Sequence, residues 1–306
     1  MAHSRYAPDR GLSARMGLTM FLLGLLYIVL FVVIGWALGG TSSAWVIALV
    51  VAAAALWAQW FFSDRLALYS MRGRIVTPQE APQLHAIVDR LCALADMPKP
   101  QVAIADVDIP NAFATGRSPK RAVVCATTGL MRRLDDRELE GVLSHELSHV
   151  AHRDVTVMTI ASFVGVLAGF LTRIGIFSGM GGGRDRDSNA AVVLLVVTLV
   201  SVLVYAVSFL LIRVLSRYRE LSADRTGALL TGQPSALASA LVKINGDMGR
   251  IPTRDLRQAE AFNAFFFAPA IAKGTSLSSL FSTHPPLEQR LAQLNRISAQ
   301  LGRAAG

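Results

Sequence analysis

Between residues 16 and 40 the chain carries no charged side chain. At about 1.5 Å of rise per helical residue, such a run is long enough to cross a hydrocarbon core of roughly 30 Å. A second uncharged run, 42–62, follows within two residues, with Trp45, Trp57 and Trp60 spaced as interfacial anchors. A third covers 156–177, interrupted only by Arg173, and a fourth covers 190–212. Four membrane-spanning helices are therefore expected. Composition agrees: 53% of the 306 residues are hydrophobic, 17% are charged and mean hydropathy is +0.45, too apolar for an ordinary water-soluble domain. The first run is too long for the apolar core of a cleaved secretion signal and has no small-residue cleavage site behind it, so it reads as a retained anchor.

Lysine and arginine close to the spans set orientation. Arg5, Arg10 and Arg15 lie in the N-terminal segment 1–15, before the first span. Arg65, Arg72 and Arg74 follow the second, and Arg213, Arg217 and Arg219 follow the fourth. The turn before the second span is uncharged. Arg184 and Arg186, in the glycine-rich connection 178–189, run against the pattern, and Asp185 and Asp187 weigh little in this rule. The balance puts both termini, residues 63–155 and residues 213–306 in the cytoplasm. The net charge of +9 is then an orientation signal and an attraction to the anionic headgroups of the lipid bilayer. No basic stripe with interleaved aromatics points to nucleic acid. No glycine-rich phosphate motif follows a strand, which leaves nucleotides out as well, and the run 179–184 reads as a flexible turn between spans. Cys92 and Cys125 fall on the cytoplasmic side without metal-binding spacing and read as small buried hydrophobes.

The soluble halves are mixed in character. Residues 77–97 begin with a cap-like Thr77 and place Leu84, Ile87, Val88, Leu91 and Leu94 at helical spacing. Residues 101–107 read as a strand, and a turn at 116–119 separates two further strand-like runs. Residues 135–154 form an amphipathic helix with an acid-rich first turn, as the helix dipole favours. After the fourth span, 216–232 continue helically to a glycine stop, and helices are expected near 235–246, 254–268 and 285–301. The fold class is a multi-pass α-helical membrane protein with an α+β soluble domain.

His145, Glu146 and His149 spell H-E-x-x-H on the helix of 135–154. Residues four apart stand one above the other, so two imidazoles can share one tetrahedral cation at about 2.0–2.1 Å. Glu146, turned by about 100°, falls beside the ion, where a general base acting on a polarised water belongs. A polar helix face with two solvated histidines is the simpler alternative. A catalytic site of this kind needs a third protein ligand and an open position. His152 is near the same face but too far along the axis to share the ion. Glu220 is the better candidate, because it follows the fourth span as His149 precedes the third, and an out-and-back hairpin returns it to the same surface. At about 1.5 Å per residue, the ion is expected roughly 10–12 Å above the hydrocarbon edge. Asp224, four residues beyond Glu220, is placed to accept a hydrogen bond from a ligand histidine. An ordinary ion pair with a neighbouring Arg is the alternative for Glu220, and a solvated carboxylate the alternative for Asp224. Asp154 reads as a structural end-cap.

The stretches "NAFATG", "HELSHVAHRD", "SRYRELSAD" and "THPPLEQRL", in this order and with a membrane pair between the second and the third, resemble the HtpX-type zinc metalloproteases, relatives of the CAAX prenyl endopeptidases. The resemblance covers nearly the whole chain. It implies a gluzincin core holding one Zn²⁺ per chain, with His145, His149 and Glu220 as ligands and Glu146 as catalytic base. It also implies an endopeptidase acting on unfolded or damaged proteins of the bacterial inner membrane. By the same resemblance Asn111 and His284 are candidates for binding the scissile carbonyl oxyanion. A turn-capping Asn and a His opening a Pro-stopped helix are the alternatives. Two other classes compete with the protease. A zinc-stabilised scaffold has no need of the base Glu146. A zinc transporter would place ionisable ligands inside the spans, and the first two spans and most of the fourth hold none.

Overall fold

The structure, a computed structural model, describes residues 10–37, 41–70, 72–116, 118–180, 188–248 and 284–304. Its elements are α1 (Arg10–Ala37), α2 (Ser42–Ser70), β1 (Gly73–Ile75), α3 (Pro82–Ala95), β2 (Gln101–Ala105), β3 (Ala112–Thr115) and β4 (Val123–Thr127). These are followed by α4 (Thr128–Arg133), α5 (Asp136–Ala151), α6 (Asp154–Met180), α7 (Ser188–Thr231), α8 (Pro234–Met248) and α9 (Leu287–Ala304). They form two compact units, one drawn chiefly from Ser63–Thr156 and Ser216–Gly306, the other from Ala14–Phe62 and Val157–Leu215.

The second unit is helical. Leu23 and Leu30 of α1 are buried with Ala161, Val164 and Ala168 of α6 and Val204 of α7. Tyr27 stacks on Phe163 and donates its hydroxyl to the carbonyl of Ile160. The outward positions are equally apolar: Phe21, Phe170 and Leu203 are all exposed. Helices that are apolar all round belong in hydrocarbon rather than water. Among the described residues, three helical stretches are long and apolar enough to cross a membrane: Ala14–Ala37, Thr156–Arg173 and Ala191–Thr231. The expected second span lies within α2 and is helical, but its described apolar stretch, Leu49–Ala58, is shorter than a crossing requires. The chain is thus a mostly helical membrane protein with a small sheet.

That sheet lies in the first unit, in the order β1-β2-β4-β3. β2 and β4 are parallel, and the outer pairs β1/β2 and β3/β4 are antiparallel, with Phe113 opposite Cys125 and Ala114 opposite Val124. Among the described residues β3 is therefore an edge strand. α5 packs against β3, α3 and α8 and is buried from Glu138 to Val150. A helix so enclosed has to end cleanly. Asp135 accepts from the amides of Arg137 and Glu138, and Glu138 accepts in return from the amide of Asp135, a capping box that contributes about 1 kcal/mol. The core around α5 is aliphatic, with Val88 and Leu91 of α3, Leu143 and Leu147 of α5 and Leu237 and Leu241 of α8 all but fully buried. Each such side chain contributes roughly 1.5–3 kcal/mol. The buried Glu138 carboxylate is matched: it also accepts from Ser239 (2.6 Å) and Lys243 (2.7 Å) of α8.

Local chemistry moves some boundaries. α3 starts at Pro82 rather than near Thr77, because the amide and hydroxyl of Thr77 are closed onto the Glu80 carboxylate in a separate turn. α5 and α6 are separated at Arg153, whose φ of 56° is left-handed and cannot continue a helix. β1 and α4, of three and six residues, are too short for the sequence pattern to mark. The helix expected at 254–268 and the middle of the glycine-rich connection, 181–187, lie outside the described residues.

Candidate metal centre

The two histidines of α5 face one way. His145 Nε2 and His149 Nε2 are 3.2 Å apart, and the rings meet edge to face. Glu220 of α7 comes to both: its Oε2 is 3.5 Å from His145 Nε2, and its Oε1 is 3.4 Å from His149 Nε2. Among the described residues this is the one group of three able to hold a metal ion, with ligand atoms within 4.8 Å of one another. Ligand atoms on a tetrahedral ion at about 2.0–2.1 Å stand about 3.3–3.4 Å apart, close to the 3.2 Å between the two Nε2 atoms and to the approach of one Glu220 oxygen to each of them. Gly227 makes the approach of α7 possible. A Cβ there would meet Ser144 Oγ at 2.8 Å and the His145 amide nitrogen at 3.0 Å.

The outer nitrogens are held too. His145 Nδ1 is 2.8 Å from Asp224 Oδ1, and His149 Nδ1 is 2.5 Å from Asp154 Oδ2. A carboxylate only accepts, so each Nδ1 carries the hydrogen and each Nε2 is turned inward as a donor to metal. Asp224 is gripped by Arg290 of α9, with Nε to Oδ2 and Nη2 to Oδ1 both at 2.7 Å. Asp154 Oδ1 is 3.1 Å from Arg219 Nε in a contact that is Coulombic rather than a linear hydrogen bond. His284, just before α9, sets its Nδ1 3.0 Å from Glu220 Oε2. Glu146 stands beside the group, and its Oε2 accepts from the Ala114 amide of β3 at 2.9 Å. Asn111 is fully buried at the entry to β3. Its amide donates to Thr127 Oγ1 and its carbonyl accepts from the Thr127 amide, both at 2.9 Å.

Burial raises the Glu146 carboxyl above its usual range, with His145 and His149 opposing. Burial works in the other direction on the imidazoles. Asp224 and Glu220 overcome it to raise His145, and Asp154 and Glu220 lift His149 to about 10. Burial would raise Asp154, but the Arg219 guanidinium and the His149 hydrogen bond hold it well below the carboxylate range.

The structure therefore gathers His145, His149, Glu220, Asp224 and His284 at one point with Glu146 alongside, and places Asn111 just before the strand that holds Glu146, its backbone bonded to Thr127 of β4. Sequence reasoning passed over Ala114, Arg219 and Arg290, and gave Asp154 only a capping part. Two inward imidazoles, a carboxylate and a neighbouring buried acid, in a chain with membrane-crossing helices, define a membrane metallohydrolase. Residues 78–298 match peptidase family M48, and the chain belongs to that family. It is 60% identical to protease HtpX homolog 1 of Streptomyces coelicolor over 98% of this chain and 97% of that one. It is 56% identical to the protease HtpX homolog of Moorella thermoacetica, over 96% of each chain. Its fold is similar to the crystal structure of Ste24p from S. mikatae, with a TM-score of 0.52 and 17% identity over 94% of this chain and 67% of that one. The chain is thus a metalloendopeptidase, a hydrolase of peptide bonds that needs a metal ion.

Proposed function

We propose that the metal is one zinc ion held by His145, His149 and Glu220, and that the protein cuts unfolded or damaged membrane proteins on the cytoplasmic side of a bacterial inner membrane. In this reading α2 crosses the bilayer as a fourth span, with residues 42–62 in the membrane. Residues 63–155 and 213–306 are the two cytoplasmic halves of the catalytic domain. The observation that carries the proposal is the convergence of two Nε2 atoms and one carboxylate, with ligand atoms within 4.8 Å of one another, beside Glu146.

When bound, zinc supplies Lewis-acid polarisation to the attacking water and the scissile carbonyl. Glu146 does the proton work. Its Oε2 is anchored by the Ala114 amide, which leaves Oε1 to take the water's proton and pass it to the departing amine. The raised affinity of that carboxyl for a proton suits both transfers. β3 is an edge strand, and an extended substrate can add to it through main-chain hydrogen bonds, bringing the bond to be cut next to Glu146. Asn111 and His284 are proposed to donate to the oxyanion that develops on the carbonyl. His284 uses Nδ1 on Glu220, so it donates from Nε2 only as the imidazolium, with both nitrogens protonated.

Purified protein assayed for metal content and for cleavage of an unfolded membrane protein, wild type against Glu146→Gln, tests the core of this reading. Gln keeps size and polarity, so zinc stays bound at one per chain while the rate falls by about 10²–10⁴-fold. A variant that keeps more than about a tenth of wild-type activity removes Glu146 from the role of base.

A further inference from the structure

The metal centre treats its two histidines alike. Behind His145 stands Asp224, and behind Asp224 stands Arg290; behind His149 stands Asp154, and behind Asp154 stands Arg219. We propose that Asp154, held by Arg219, is a positioning residue for the metal centre, fixing the ring and tautomer of His149 as Asp224 fixes those of His145. This rests on the reading of His145, His149 and Glu220 as the metal ligands.

Three observations carry it. First, both oxygens of Asp154 are engaged by side chains of other helices, Oδ2 by His149 Nδ1 of α5 at 2.5 Å and Oδ1 by Arg219 Nε of α7 at 3.1 Å. A carboxylate that only capped α6 would turn to the amides of its own first turn. Second, Asp154 is 1% exposed, His149 8% and Arg219 8%. A carboxylate is buried so deeply only when charges and hydrogen bonds around it offset its desolvation. Third, Arg219 directly precedes Glu220. One turn of α7 therefore supplies both the third ligand and the cation that holds the support of the second.

The test uses the full-length, detergent-solubilised protein loaded with zinc or with cobalt(II) as a spectroscopic stand-in. Asp154→Ala, Asp154→Asn, Arg219→Gln and Arg219→Lys are compared with wild type and with His149→Ala. The readouts are metal release to a chelator, the visible absorption of the cobalt form and the thermal stability of the metal-free protein. Asp154→Ala should weaken metal binding by about 10–100-fold and change the cobalt spectrum. Asp154→Asn keeps an acceptor for Nδ1–H and should lose less. Arg219→Gln should weaken binding, and Arg219→Lys, which retains the charge, should restore much of it. An end-cap role alone predicts lower stability of the metal-free protein with zinc release and cobalt spectrum as in wild type, and that result overturns the proposal. Where Asp154→Ala does not fold, wild-type cobalt spectra in both Asp154→Asn and Arg219→Gln overturn it equally. Wild-type zinc affinity in His149→Ala would instead sink the metal-site reading itself.

Discussion

Burial disfavours a charged imidazole, yet the carboxylates of Asp154 and Glu220 lift His149 to about 10, and Asp224 and Glu220 raise His145. In the metal-free protein His149 then holds a proton on Nε2 as well at neutral pH, and an ion must displace it to reach that atom. Loading zinc near pH 7 should therefore release about one proton per ion. Calorimetry in two buffers of different ionisation enthalpy measures this directly, and release of less than about half a proton would contradict it. The same shift has a sign for stability. A value raised on folding means that the His149 proton stabilises the metal-free fold fully below the ordinary value of 6.5 and stops doing so as pH climbs towards about 10. The difference in Tm between loaded and metal-free protein should widen across that range, and a constant difference would count against it. Asp224 carries a second prediction. It is fully buried and holds both His145 and Arg290, so Asp224→Ala strands a buried guanidinium from its bidentate partner. Breaking such a pair costs about 3–5 kcal/mol. Denaturant unfolding of the metal-free variant should show that loss, with metal affinity down about 10–100-fold.

Between elements, the meeting of α5 and α7 is set by a single missing methyl group. Gly227→Ala would push a Cβ to 2.8 Å from Ser144 Oγ and 3.0 Å from the His145 amide, much of it backbone that cannot turn aside. Overpacking of this kind costs about 1–3 kcal/mol and displaces Glu220 and Asp224 from His145. Metal occupancy should fall although no ligand has changed. Gly246→Ala is the control, since nothing lies within 4 Å of the added methyl on α8 and a gain of about 0.4–1 kcal/mol is expected. Equal zinc content in the two variants, by metal analysis after a chelator wash, would show that the close approach does not position the site. What the sequence could disclose follows from the range of each signal. The pairing of His145 with His149 is written in a spacing of four, and the return of Glu220 in the symmetry of a hairpin. The membrane helices announce themselves by composition alone. Ala114, Arg219 and Arg290 have no such local mark. Ala114 meets Glu146 across 32 positions, and Arg290 meets Asp224 across 66. β1 has three residues, too few to show alternation, and Arg153 breaks a helix by a φ that its identity does not demand.

For the whole molecule, the two halves of the catalytic unit restrict the topology. Ser63–Thr156 and Ser216–Gly306 belong to one compact unit, so they share a compartment, and the chain between them crosses the bilayer an even number of times. The candidate spans Thr156–Arg173 and Ala191–Thr231 supply that pair. The side taken by the N-terminus depends on α2 alone. If α2 crosses, residues before α1 face the same compartment as the metal site; if it does not, they face the opposite one. Arg5, Arg10 and Arg15 before the apolar run of α1, against an uncharged turn after it, favour a crossing α2 with both on the cytoplasmic side. Reporter fusions at the N-terminus and after residue 120 should therefore give the same cytoplasmic signal, and a fusion within 180–188 the opposite one. An N-terminal signal opposite to that at residue 120 would leave three crossings. The same orientation predicts where substrates are cut. Cleavage sites on a multi-span substrate, mapped by mass spectrometry, should fall in its cytoplasmic loops, because that is the side on which this orientation puts Glu146. A periplasmic cut made by the wild type and abolished by Glu146→Gln would reverse the assignment.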